Sequence, residues 1–477
     1  MSISKVNVKY TQLFINNEFV DAESGKKFST INPANEEVIA QISEGDEADV
    51  NKAVAAAKKA FSRSSEWRTM DASFRGTLIN KFADLVQRDL NYIASLDAID
   101  NGKTYNDAVF DVKFSIDVFR YYAGWCDKIN GQTIPADGSS LVFTRKEPVG
   151  IVGQIIPWNY PFMMLAWKWA MALAAGCTIV LKPAEQTPLS ALYAAALIKE
   201  AGFPPGVVNV ITGYGPTAGA AIAKHPDVHK ITFTGSVEVG HLIMEAAAKS
   251  NLKRVSLELG VKKAAAIAHT AIFANHGQSC CAGSRTFVHS KIYDEFVQYA
   301  KQLALEIKVG DPFNSETNQG PQIDKDMFNK VMYFINSGKE EGAVLETGGE
   351  RHGNVGFFIK PTVFSNVTDK MKIASEEIFG PVQCILKFDT MEEVIERANK
   401  TTFGLAAGIL TNNIDKAITF ANAVEAGSVW VNQYDAITPQ TPFGGYKKSG
   451  IGRELGEEGL KEYLEHKTIS IKLSTCN

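Results

Sequence analysis

Cysteine is scarce in this chain, with six in 477 residues, at positions 126, 177, 280, 281, 384 and 476. So few thiols in so long a chain exclude a disulfide scaffold and suit a reducing compartment. No C-x-x-C and no Cys/His cluster has zinc-ligand spacing, so no metal centre is expected. Long apolar runs are also missing. The longest, at 162–176, is interrupted by Lys168 and is too short to span a bilayer. Met1 to Tyr10 contain neither an apolar signal core nor an Arg-rich presequence. Charge of one sign is not in excess: the net charge is −4. Nothing basic is there to draw nucleic acid or an anionic membrane. Internal repeats and low-complexity segments are absent. These absences together predict a cytoplasmic protein with neither nucleic acid nor membrane as partner.

What is present is ordinary soluble material, 45% apolar and 21% charged, long enough for two or three domains. Residues 14–20 alternate around a turn and read as a hairpin start. Asp46 can cap a helix carrying Val50, Val54 and Ala57. Helices are expected near 73–89 and 91–99, the latter ended by Asn101-Gly102. Another, apolar at Phe110, Phe114 and Val118, should reach about Trp125. Residues 129–148 are strand formers around Asp137-Gly138, an excursion that either pairs with another subunit or stays a surface hairpin. From Val149 the pattern alternates: strands at 149–156, 177–182, 207–211, 230–234 and 254–259, helices between them, including one at 217–224. Such alternation predicts an α/β fold with a parallel sheet covered on both faces. Its ligands should lie at the carboxyl ends of the strands. Alternation resumes after Cys280, with helices at 291–304, 324–341, 392–399 and 415–423. Strands there are expected at 358–364 and 428–432, and a last one near 462–472.

Several stretches carry chemistry. Asn275-His276-Gly277-Gln278-Ser279-Cys280-Cys281 sets two thiols among small and polar residues. A nucleophilic thiol needs such surroundings and a nearby base, whereas an inert one prefers an apolar core. Phe233-Thr234-Gly235-Ser236 stands where a strand becomes a helix, a natural seat for a pyrophosphate, with Gly240 one turn further on. Gly213-Tyr214-Gly215 lacks the three-glycine fingerprint and is followed by Pro216, so it reads as a turn. Lys182 and Glu185 end a neighbouring strand, where a carboxylate can accept from a ribose diol and repel a 2′-phosphate. Asn159, fixed in Pro157-Trp158-Asn159-Tyr160-Pro161, can donate to an oxyanion or simply serve the turn. Glu258, between Leu257 and Leu259, is either a general base with a raised pKa or an exposed edge residue.

Taken together these pieces resemble the NAD(P)-dependent aldehyde dehydrogenase family, its class 1/2 group in particular. The matching motifs are Ile156-Pro157-Trp158-Asn159, Leu181-Lys182-Pro183-Ala184-Glu185, Phe233-Thr234-Gly235-Ser236, Leu257-Glu258-Leu259-Gly260 and Gly277-Gln278-Ser279-Cys280-Cys281. Glu376-Glu377-Ile378-Phe379-Gly380-Pro381 and Pro442-Phe443-Gly444-Gly445 follow in family order. The resemblance implies a Rossmann-like NAD-binding domain (1–128 and 149–259), an α/β catalytic domain (260–450) and a small β oligomerisation arm (129–148 and 451–477). It implies Cys280 as nucleophile, Asn159 as oxyanion donor and Glu258 as the base for thioester hydrolysis. It also implies NAD held by Ile156, Pro157, Trp158, Lys182, Glu185, Gly235, Ser236, Gly240, Glu377 and Phe379. Tyr160, Met164, Trp167 and Phe443 would form the aldehyde tunnel, with 434–441 at its mouth, and the assembly would be a homotetramer.

One departure stands out. Only 22 positions separate Glu258 from Cys280, about twelve fewer than the family pattern, which is roughly one strand with its turns. Val261 stands where the family has glycine. Three functions therefore follow from the sequence: a working enzyme, a catalytically impaired homologue such as a crystallin-like structural protein or splice form, or a thiol that acylates without efficient hydrolysis.

Overall fold

In the computed structural model, which describes residues 6–250, 254–256 and 265–473, five parallel strands form the first sheet. Their spatial order is Arg254–Ser256, Lys230–Phe233, Ile151–Ile155, Thr178–Lys182 and Val208–Val210, with the antiparallel hairpin Leu13–Ile15 and Glu18–Val20 closing the last edge. Chain order runs outward in both directions from Ile151–Ile155. The strand order therefore reverses between Ile151–Ile155 and Lys230–Phe233, and a crevice opens at their carboxyl ends. The three central strands are buried throughout and rich in Val and Ile, as a sheet covered on both faces requires.

Helix Pro161–Ala175 is apolar on all sides but for Lys168, and all of it except Met163 is buried among its neighbours. Proline at its first position pre-sets the backbone and needs no N–H there. Two aspartates on helix Leu90–Asn101 serve other helices. Asp97 Oδ2 accepts from the Phe162 N–H (3.2 Å), and Asp100 Oδ2 from the Leu189 N–H (3.2 Å). Each satisfies an orphan donor at the start of a buried helix, where a carboxylate also meets the positive end of the dipole. Asp46 caps helix Glu47–Ala60 reciprocally with Asp49, and Gly102 ends Leu90–Asn101 with φ 84°.

The structure departs from expectation in a few places. Phe110 is 64% exposed, because helix Tyr105–Ala123 buries the stripe through Ala108, Val112, Ile116 and Phe119 instead. The 217–224 helix begins as a π turn, Gly215–Gly219, before Ala220–Lys224. The 358–364 strand shrinks to Thr362–Ser365, since Pro361 has no N–H for a ladder. Strands Lys27–Ile31, Val38–Ser43, Val344–Thr347, Val382–Phe388, Ala406–Ile409 and Arg285–His289 were not anticipated. Of the strand expected at 254–259, Arg254–Ser256 pairs with Lys230–Phe233; Glu258 lies outside the described residues.

After Cys281 the chain builds a second sheet, in the order Arg285–His289, Val382–Phe388, Thr362–Ser365 and Val344–Thr347, the last strand antiparallel. Ala406–Ile409 and Ser428–Val431 form a separate parallel pair. A cleft of about 640 Å³ lies between the two, walled by Arg285–His289 on one side and Ala406–Ile409 on the other. Among the described residues no strand joins them. The third unit is an antiparallel sheet in which Leu464–Lys472 pairs along the whole of Ser140–Pro148, with Thr133–Ile134 beyond. Gly456–Lys461 packs instead on helix Pro161–Ala175, where a Cβ at Gly459 would sit 2.7 Å from Met171 Sδ.

Lys103 is fully buried, bonds Asp111 at 2.6 Å and lies 4.2 Å from the centre of the Tyr160 ring. Burial pushes the Asp111 carboxyl up to about 6, against the pull of Lys103. A carboxyl raised in the folded state contributes stability that is full below its unfolded pKa and lost as pH rises through the folded one. Lys103→Met strands that carboxylate. The variant should be destabilised by roughly 3–5 kcal/mol in urea unfolding at pH 8. The deficit should shrink as pH falls through 6, and a deficit independent of pH would count against the pairing.

Candidate active site

The two strands at the crevice deliver two short turns. Ile151–Ile155 leads into Pro157, Trp158 and Asn159, and Lys230–Phe233 into Thr234, Gly235 and Ser236. All of these line one cavity of about 410 Å³, together with Cys280, Cys281, Glu377 and Phe379. Tyr160, Met164, Trp167 and Phe443 line it too, and Asp435 and Ile437 come from the loop at 434–441. Trp167 stands edge-on to Phe443 with ring centres 5.7 Å apart, so one flank is aromatic. The cavity thus gathers most residues singled out from the sequence.

The loop carrying the thiols is held by an unusual backbone. Asn275, His276 and Gly277 take φ of 46°, 62° and 72° in succession. Two non-glycine residues in the left-handed region cost about 1–3 kcal/mol each, and buried hydrogen bonds offset this. Asn275 Nδ2 donates to the carbonyls of Asn159 and Gln278, each at 3.0 Å. Gln278 Oε1 accepts from the Ile323 N–H at 3.0 Å. His276 Nε2 accepts from the Gly320 N–H and Nδ1 donates to the Pro321 carbonyl, both at 3.0 Å. That pairing fixes one tautomer of a neutral ring, and burial pushes the imidazole down to about 4. Gly277 must be glycine: a Cβ there would lie 2.1 Å from the Gly380 oxygen.

This contact docks the segment Glu376-Glu377-Ile378-Phe379-Gly380-Pro381 on the thiol loop. Phe379, at φ 61°, then meets Trp158 edge-on at 5.5 Å. Glu377 lines the cavity while staying exposed to solvent, and partial desolvation raises its carboxyl despite Lys330 nearby. The two thiols differ. Cys280 is half-buried, while Cys281 is 5% exposed and donates to Asp435 Oδ1 at 3.2 Å. Asn159 is buried, and one of its amide hydrogens goes to the Gln278 carbonyl at 3.1 Å, which leaves the second.

Other expected residues surround the cavity. Ile156 is buried, its N–H donating to the Lys182 carbonyl at 3.1 Å. Lys182 is buried at the next strand end and pairs with Glu185 at 3.0 Å; burial lowers the ammonium pKa, and Glu185 opposes that. Gly219 lies against the same Lys182, where a Cβ would be 3.5 Å from Cδ. Gly240 does not line the main cavity. It faces a smaller one of about 160 Å³ that shares Gly235 and Ser236. Ser236 Oγ accepts from the Val239 N–H at 3.3 Å, as a helix cap does.

Some groups were missed. Lys168, noticed only as a break in an apolar run, donates to Glu454 Oε1 (2.5 Å), Thr234 Oγ1 (2.8 Å) and Thr232 Oγ1 (3.2 Å). Glu454 lines the cavity with Oε2 unpartnered among the described residues. A lysine inside an otherwise apolar helix was the available signal, because a buried charge needs a partner. Asn275 and Asp435 carried no such signal.

The family model described as "Aldehyde dehydrogenase family" matches residues 19–469. The chain belongs to the aldehyde dehydrogenase family. It is 58% identical to aldehyde dehydrogenase 1A1 of Gallus gallus, over all of this chain and 96% of that one. With aldehyde dehydrogenase, cytosolic 1 of Mus musculus it shares 56%, over all of this chain and 97% of the other. Its fold matches the NAD+ complex of an aldehyde dehydrogenase from Bacillus cereus with TM-score 0.95, at 49% identity over 98% of this chain and 97% of that one. The chicken alignment extends over 488 residues, so that relative carries at least eleven residues with no counterpart among these 477.

Gly277→Ala tests the docking of Phe379. The clash and the positive φ should together cost about 1–3 kcal/mol. Native-state iodoacetamide labelling of Cys280 should slow with it. Unchanged melting and labelling would show that the contact does not hold the loop.

Proposed function

We propose that this chain oxidises an aldehyde to a carboxylic acid with NAD, and that the reaction runs through Cys280. The observation that carries the reading is the convergence of a half-buried thiol, a rigid side-chain amide and a Gly-Ser helix start at the switch point of a parallel sheet. A cavity that is aromatic on one flank and holds a few polar side chains suits a small apolar carbonyl compound.

The residues fit the cofactor. Gly235 and Ser236 offer a close backbone approach and helix N–H groups for a pyrophosphate, with Gly240 behind them. Lys182 and Glu185, paired at the adjoining strand end, match a ribose diol, and the Glu185 charge opposes a 2′-phosphate. Ile156, Pro157, Trp158, Glu377 and Phe379 frame the nicotinamide side. When bound, NAD supplies the acceptor for the hydride that the aldehyde carbon gives up.

The chain supplies the rest. Cys280 as thiolate attacks the aldehyde carbon, forming a C–S bond as the carbonyl π pair moves to oxygen. The free N–H of Asn159 and the Cys280 N–H hold that oxyanion; fixed donors of this kind are worth roughly 3–4 kcal/mol. Loss of hydride leaves a thioester. Glu258 takes a proton from water, hydroxide adds to the carbonyl, and the thiolate leaves with the carboxylic acid formed.

Purified protein with propanal should therefore reduce NAD to NADH, and NADP to NADPH more slowly. Cys280→Ala should abolish the signal, and Glu258→Gln should leave a single burst without steady turnover. Full activity in Cys280→Ala would overturn the mechanism.

The three-stranded sheet supports a homotetramer. Leu141 and Ile471, paired on one face of it, are 41% and 45% exposed, an apolar surface that a second copy would cover. Light scattering should give four chains per particle, and a monomer would refute the assembly. The likeness to a cytosolic relative supports a cytoplasmic location, and among the described residues no helix is long and apolar enough to cross a membrane.

A further inference from the structure

Two adjacent thiols of equal chemistry line one cavity, and the loop alone does not say why only one should react. We propose that Tyr434 and Asp435 make the choice: they hold Cys281 by both its main chain and its side chain, so that Cys280 is the thiol left to the substrate. This rests on Cys280 being the nucleophile.

The geometry is a two-point clamp. Tyr434 Oη donates to the Cys281 carbonyl at 2.9 Å, and the Cys281 thiol donates to Asp435 Oδ1 at 3.2 Å. Ser279 Oγ lies 3.4 Å from the same sulfur. Both clamping residues are consecutive and follow strand Ser428–Val431. The Trp430 ring packs edge-on against Tyr434 at 4.7 Å, and Asp435 is fixed in the left-handed region at φ 54°. Asp tolerates that region better than most residues.

The chemistry follows from the acceptor. A thiol that donates to a carboxyl oxygen keeps its proton, because a thiolate there would face a like charge at contact distance. The hydrogen bond with Cys280, burial and the Asp435 charge all push the Cys281 thiol well above the usual range. Cys281 is thus held as a thiol. The clamp also spans a discontinuity. The thiols precede strand Arg285–His289, whereas Tyr434 and Asp435 follow the separate pair of strands across the 640 Å³ cleft. With no described strand bridging the two, these hydrogen bonds tie the loops together above the cleft. Asp435 and Tyr434 are positioning residues, since they act through Cys281.

The test is limiting iodoacetamide on the native full chain, with fragment-ion mapping to separate the two sites. The wild type should label at Cys280. Asp435→Ala should lower the ratio of Cys280 to Cys281 label about tenfold, the scale of one lost hydrogen bond. Asp435→Asn keeps an acceptor oxygen but loses the charge, and should restore the ratio only in part. Tyr434→Phe removes only a hydroxyl and should move the ratio the same way, about threefold; it decides the matter if Asp435→Ala does not fold. NAD affinity should be unchanged in all three. An unchanged ratio in both Asp435→Ala and Tyr434→Phe overturns the clamp. Preferential labelling of Cys281 in the wild type would overturn the assignment of the nucleophile itself, a separate result.

Discussion

The contact on which the site depends is the approach of Gly277 to the Gly380 carbonyl. No side chain fits between them, and the three successive left-handed residues that end in Gly277 make the approach possible. Through it the thiol loop, the Phe379 segment and the 320–323 turn become one body, joined further by His276 and Gln278. Remove it and Phe379 loses its position against Trp158, and with it the wall where the nicotinamide is proposed to lie. The first sheet supplies a crevice; this contact brings the second half of the chain to it.

The first half of the fold was legible because its physics is local and periodic. Asp46, Gly102 and Pro161 mark helix ends by rules that act within one turn. The parallel strands read as apolar runs because they are buried on both faces. Arg285–His289 and Ala406–Ile409 were not legible. They are short, each carries only partial burial, and their identity as strands depends on partners beyond any local window, about a hundred residues away for the first and some twenty for the second. Phe110 was misplaced for a related reason, since an aromatic at helical spacing faces the core or a cavity mouth according to tertiary packing alone.

The site was legible in its motifs and opaque in its supports. Asn159, Cys280, Gly235 and Phe379 could be named from the chain, and they meet in one cavity. The groups that hold them could not. Asn275 braces Asn159 through a carbonyl, His276 acts as a neutral strut, and Asp435 reaches Cys281 from 154 positions away. A polar residue that orients another leaves no signature in spacing, because its partner is set by the fold. Lys168 is the exception, since a charge inside an apolar helix announces a hidden counterion.

The cleft beneath the thiol loop has a mechanical meaning. In a continuous sheet, one ladder makes neighbouring strands rise and fall together. Here the pair Ala406–Ile409 and Ser428–Val431 is joined to the rest by side-chain packing and by bonds at its rim, and Glu377 borders both the cleft and the site above it. Among the described residues, this pair shares no strand ladder with the second sheet. The wall of the site cavity that carries Asp435 and Ile437 follows directly on this pair. The width of that pocket is therefore a property of how firmly a small outlying lobe is seated, and breathing of that lobe would admit bulkier carbonyl compounds than the resting shape suggests.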